Sequence, residues 1–203
     1  MNKPTAYDTT QAAGEFEPIK LGGHKMVIKQ ISEKKTQGGL DMLVILFDFA
    51  EGDEQAGYFM KQFENDIRPD KKYPNAGTNY MIIDESADYG VRNLKTFITC
   101  VEKSNPGFAV KWGDNFEQQF KGKLIGGIFR LERDWYDNKE VKRHKLAWFR
   151  SIEGIKDADI PEERTTKAYD DHLKEEAIMG SNPAGTDFMS IPDSVVDDVL
   201  PFN

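Results

Sequence analysis

The ten residues "VKRHKLAWFR" (141–150) interleave Lys142, Arg143, His144, Lys145 and Arg150 with Trp148 and Phe149. In an extended strand Lys142, His144, Leu146, Trp148 and Arg150 share one face, and Arg143, Lys145, Ala147 and Phe149 share the other. A ring flanked by cations can stack on a flat partner while the cations reach anions on either side. Unpaired nucleotides offer both groups, a π-face on each base and a phosphate on each link. Trp135, Tyr136 and Lys139 sit at the tip of the same hairpin, as a finger that could reach over a strand. Further back, "YFMKQF" puts Phe59, Lys61 and Phe63 on one strand face, and the loop after it adds Arg68, Lys71, Lys72 and Tyr73. Each ring has a second reading as core, with Phe59 or Trp148 the candidates to join Phe47, Phe49, Phe97 and Ile128.

Other chemistry has less to stand on. The chain contains no phosphate-binding GxxxxGK[ST] loop, no HExxH, no GxSxG and no dinucleotide fingerprint. Asp134, Asp137 and Glu140 in "DWYDNKE" could hold a divalent ion in a metal-dependent nuclease, but Asp137-Asn138 is also an ordinary turn pair. His24, His144 and His172 are far apart with no metal-ligand spacing, and the one cysteine, Cys100, lies on the apolar side of a helical stripe. The expectation is a protein without catalytic residues, metal or cofactor.

The elements that must position the basic and aromatic residues follow from periodicity. A three-strand meander is expected at roughly 24–34, 40–49 and 58–65, the middle strand "LDMLVILFDF" apolar enough to be buried on both faces. "RPDKKYPNAGTNY" reads as a loop. Val91, Leu94, Phe97, Ile98 and Val101 make a helix that Asp88 can cap and Asn105-Pro106-Gly107 stops. A shorter helix is expected in "DNFEQQFKG". A long hairpin turning at Asp137-Asn138 follows, with Gly126-Gly127 marking a bulge or bend. Three strands, a helix and two strands is the order of a five-stranded OB-fold barrel with its helix between strands 3 and 4.

Composition sets the frame. With 203 residues, 38% of them hydrophobic, the chain can bury one ordinary core. Neither a leader pattern nor a membrane-length apolar run is evident, which predicts a cytoplasmic protein. The net charge of -8 is unevenly spread: residues 151–203 hold 13 Asp+Glu against 4 Lys+Arg, whereas residues 121–150 hold 9 Lys+Arg against 4 Asp+Glu. The predicted division is residues 1–155 as the OB domain and residues 156–203 as an acidic, largely disordered linker with one short helix and a terminal tip.

That tip is "VDDVLPFN". Two carboxylates followed at once by bare apolar residues bury nothing of their own, so they are either accidental or meant for another protein's pocket, where Phe202 can insert, Pro201 lowers the ordering cost, and Asp197 and Asp198 can meet Lys or Arg around it. The run Asp197, Asp198, Val199, Leu200, Pro201, Phe202 resembles the acidic tip of bacterial and phage single-stranded DNA-binding proteins. The body from "FEPIKLGGHKMVIKQI" to "LAWFRSIEGI" is similar to the versions encoded by phages and prophages of low-GC Gram-positive bacteria. The tip departs in one respect: Asn203 follows Phe202, where the family ends on the Phe. The resemblance implies an OB body that coats single-stranded DNA with little sequence preference, and a tail that recruits replication, recombination and repair proteins. A strand-annealing recombination mediator is the alternative on the same surface. Homo-oligomers of this kind range from monomer to tetramer, and the sequence leaves the number open.

Overall fold

Apolar alternation builds the first strand, and a near-continuous apolar run the second, of the computed structural model, which describes residues 1–5, 7, 17–86 and 88–180. In β1 (Gly22–Lys35), His24, Met26 and Ile28 point inward. A bulge at Lys29 then restores the inward phase at Ile31. Strand β2 (Asp41–Phe49) pairs antiparallel with β1 and buries Leu43–Ile45 and Phe47–Phe49, as a strand covered on both faces should.

The third strand is not where alternation puts it. Residues 58–65 form a helix, α1 (Tyr58–Asn65), because Phe59 and Phe63 satisfy a helical spacing of four as well as a strand spacing of two. A distant residue breaks the tie: the buried Asp48 on β2 accepts hydrogen bonds from the backbone N–H groups of Phe59 (2.9 Å) and Met60 (3.2 Å). Those are two of the N–H groups that a helix start leaves without partners. Strand β3 is Thr78–Ile83, whose first residues fall in the stretch that composition marks as loop, and it runs antiparallel along β2 from Leu46↔Thr78 to Asp41↔Ile83.

Helix α2 (Asp88–Ser104) follows the predicted stripe, with Phe97 and Val101 fully buried, although Val91 is exposed. Asn105 stops it and stitches it to the next strand: its side-chain amide donates to the carbonyls of Val101 and Leu124, and its oxygen accepts the Leu124 N–H. The second predicted helix shrinks to a single 3₁₀ turn, Gln118–Phe120, behind Asn115 at φ 71°. Phe116 and Phe120 are still core residues.

Strands β4 (Leu124–Tyr136) and β5 (Lys139–Arg150) form the predicted hairpin, with Asp137 and Asn138 at φ 53° and 56° in the two-residue turn. Gly126-Gly127 is not a bulge: both residues keep register with β1 and β5. Their reason is close packing, since a Cβ on Gly126 would sit 2.6 Å from Ile155 Cγ2 and one on Gly127 would strike Met26 and Leu146. The bulge lies instead on β5 at Ala147, between the pairs Phe129↔Leu146 and Ile128↔Trp148.

The sheet order is β3-β2-β1-β4-β5, mostly antiparallel, and it does not close: β3 and β5 remain its two edges. A sixth strand, β6 (Arg164–Thr165), pairs parallel with β4 and leads into α3 (Lys167–Gly180). The core inside the curved sheet is rich in phenylalanine. Phe47, Phe49, Phe59, Phe97, Phe120 and Phe129 are each at most 2% exposed. Their rings meet edge-on or tilted, as at Phe47–Phe59 (5.7 Å, 87°) and Phe97–Phe149 (5.1 Å, 62°). Among the described residues no helix is long and apolar enough to cross a membrane.

A partly buried carboxylate fixes the turn ahead of α1. The Asp53 carboxylate takes hydrogen bonds from His24 Nδ1 (3.1 Å) and from the backbone N–H groups of Lys25 and Gln55, while the His24 ring stacks on Phe49. Burial alone would raise the Asp53 pKa, but the His24 and backbone hydrogen bonds outweigh it and hold the carboxyl below its ordinary 3.8. A depressed folded-state pKa means that stability is complete above 3.8 and is lost as pH falls through the folded value. Asp53→Asn is expected to cost about 2–3 kcal/mol at neutral pH. The gap to the unsubstituted protein should narrow below pH 3.8, as read by urea unfolding at stepped pH.

Candidate nucleic-acid interface

Because the sheet stays open, its two edge strands face each other across a trough. The wider end, about 580 Å³, is lined by Lys142, Arg143, His144 and Lys145 of β5 against Tyr58 and Gln62 of α1, the Asn75-Ala76 turn, and Pro18 and Ile19. The narrower end, about 320 Å³, continues along β5 from Leu146 to Phe149 against Asn79–Ile82 of β3 and Tyr89, Asn93 and Thr96 of α2. The two lining sets adjoin on β5 at Lys145 and Leu146, so one strand edge carries cations at one end and rings at the other.

The bulge at Ala147 decides which ring is available. Strict alternation would put Leu146 and Trp148 on one face, but the extra residue splits them: Leu146 packs on the core, Phe149 is buried, and Trp148 turns out, 39% exposed. Arg150 lies over the Trp148 ring at 5.4 Å. Tyr80 (57% exposed) and Tyr89 (60%) stand in the same narrow end, flanked by the amides of Asn79 and Asn93. Sequence reading missed these two tyrosines and both asparagines. The alternation of "TNYMII", with Met81 buried between exposed Tyr80 and Ile82, was the available signal.

The cations are partly offset. Lys145 pairs with Glu132 (2.6 Å), Arg143 with Asp134 (3.1 Å), and Lys142 only loosely with Glu140 (4.0 Å). Of the β5 cations from Lys142 onward, Lys142 and Arg150 are therefore those whose charge is most available to a ligand in the trough.

The remaining predicted residues separate into groups. Phe59 is core, at 0% exposure beneath α1, because that segment is a helix whose inner face carries it. Tyr73 is half-buried and donates its hydroxyl to the Phe47 carbonyl (2.8 Å), and burial pushes its phenol pKa up. Phe63 packs on Tyr73 with Lys71 over its ring, at 5.9 and 4.7 Å. Arg68 grips Asp66 through both carboxylate oxygens and draws that carboxyl down to about 2, so the pair offers little net charge. Lys61 and Lys72 are exposed on α1 and in the loop after it. Trp135 is stacked on His172 of α3, whereas Tyr136 and Lys139 are exposed at the hairpin tip, with Arg143 5.9 Å from the Tyr136 ring. The tip residues Asp197, Asp198, Val199, Leu200, Pro201 and Phe202 lie outside the described residues.

The carboxylates of the nuclease alternative do not converge. Asp134 is held by Thr166 and Arg143, Glu140 by Arg133, and Asp137 is exposed in the turn. Among the described residues no group of three or more His, Cys, Asp or Glu side chains is placed to hold a metal ion. Cys100 is buried, and that burial pushes its thiol up, away from nucleophilic use.

No family model matches the chain, and no curated protein matches it. A solved structure of yeast RPA bound to ssDNA is 13% identical over 89% of this chain and 97% of that one, at a TM-score of 0.23. A superposition that loose carries no argument.

Proposed function

We propose that this chain binds single-stranded DNA with little sequence preference, through the trough between β3 and β5, and is not an enzyme. The observation that carries the proposal is the narrow end of the trough: Trp148 backed by Arg150 at 5.4 Å, with exposed Tyr80 and Tyr89 in the same cleft and Lys142 further along the same edge. Rings stack on bases whatever their identity, and cations follow the phosphates, so binding of this kind tolerates any sequence. The asparagine and glutamine side chains along the trough can add hydrogen bonds to base edges without fixing one base.

The order of elements supports an OB-type topology. Strand β1 sits between β2 and β4, β3 and β5 flank these, and α2 intervenes between β3 and β4, so bringing β5 against β3 would close a five-stranded barrel. The acidic Asp197–Phe202 run supports a second role, recruitment of replication, recombination and repair proteins in a phage- or prophage-encoded setting inside a bacterial cytoplasm.

Titrating the protein with oligo-dT should quench tryptophan emission through Trp148, and affinity should fall steeply as salt rises. Absent or salt-independent binding rejects the proposal. With complementary oligonucleotides added, acceleration of annealing would move the assignment to a recombination mediator.

A further inference from the structure

Past Phe129, β4 leaves β1 and becomes an arm, with β5 along one side and β6 along the other. The chain that follows the sheet is fastened to that arm. The Thr166 N–H donates to the Arg133 carbonyl (2.9 Å), Thr166 Oγ1 donates to Asp134 (2.7 Å), and Arg133 pairs with Glu163. Beyond this fastening α3 brings the His172 imidazole flat against the Trp135 indole, with ring centroids 3.4 Å apart and planes 10° from parallel. The same helix carries Asp170, Asp171, Glu175 and Glu176, beside an arm that carries Lys139, Lys142 and Arg143.

A flat nitrogen heterocycle stacked on tryptophan, on a helix that carries four carboxylates, presents what a nucleotide presents. The helix itself is little buried. Its residues from Lys167 to Ile178 are exposed or half-buried, and its packing is chiefly against β4. We infer that Trp135 is a second base-stacking platform covered in the free protein by His172, and that single-stranded DNA bound in the trough extends along the arm by putting an unpaired base in the place of that imidazole. The inference rests on the DNA-binding reading above and adds to it the extent of the binding path and its regulation. Helix α3 is then a competitor built into the chain, displaced by ligand and not by a change in the sheet.

The test uses the full chain and fluorescent oligo-dT, read by anisotropy. His172→Ala uncovers the indole and should bind about fivefold more tightly than the unsubstituted protein, given the usual worth of one base stack. Adding Trp135→Ala to that variant should remove the gain. Hydrogen exchange supplies a readout without any substitution: amides of residues 168–178 should exchange faster in the unsubstituted protein once oligo-dT is saturating. Equal affinity of His172→Ala and the unsubstituted chain, or exchange in α3 that stays level or slows on binding, overturns the inference and leaves the trough intact. Failure of both proteins to bind oligo-dT ends the trough reading and this inference together.

Discussion

Trp148→Ala is expected to weaken oligo-dT binding about 10- to 100-fold, the range that loss of one well-used base stack implies. Among the described residues no other ring combines its three properties: it is placed outward by the Ala147 bulge, backed by the Arg150 guanidinium, and set in the cleft that Tyr80 and Tyr89 share. The effect should be on binding and not on folding. Leu146 and Phe149, which flank the bulge, keep the strand packed on the core, so the loss of stability should be under about 1 kcal/mol. Trp148→Phe should restore most of the affinity, because a smaller ring still stacks. Trp112→Ala serves as the control. That indole is 69% exposed and stacked on Phe116, outside both ends of the trough, and its removal should leave affinity unchanged.

The second large effect is electrostatic. Replacing Lys142 and Arg150 together by alanine should lower the slope of log affinity against log salt by about 1.4, since each phosphate contact to a single strand contributes about 0.7. At low salt the same double variant should bind about 10- to 100-fold more weakly, with the difference shrinking as salt rises. Lys145 and Arg143 are the wrong choices for this experiment. Each offsets a carboxylate of β4, and removing Lys145 would strand the largely buried Glu132 without its partner. Anisotropy titrations over a range of salt concentrations measure both quantities.

These effects also show which parts of the molecule could be read from the chain alone. Strands β1 and β2, helix α2 and the β4–β5 hairpin were legible because each is specified locally: apolar alternation in β1, a near-continuous apolar run in β2, a helical stripe, an Asp-Asn turn. The segment 58–65 was not, because Phe59 and Phe63 fit both periods and the deciding carboxylate, Asp48, lies ten residues before Tyr58 on another element. The same mistake hid β3, which begins in a stretch whose composition says loop.

The cations of β5 were recoverable from interleaving, but the exposure of Trp148, which the Ala147 bulge decides, and the facing wall were not. Tyr80, Tyr89 and Asn93 come together only because the sheet remains open between β3 and β5, a property of tertiary curvature that no local pattern encodes. Gly126-Gly127 drew attention to the right region for the wrong reason. The glycines admit Ile155, Met26 and Leu146 at close range, and the bulge is on the partner strand, at an alanine with no signature of its own.

Photocrosslinking of oligo-dT to the full-length protein, followed by peptide mass spectrometry, asks directly where the DNA lies. Adducts on Trp148, Tyr80 and Tyr89 place the strand between the two open sheet edges, which is the result expected. Adducts confined to Trp112 and the 105–120 loop, with the β3 and β5 peptides unmodified, would contradict it.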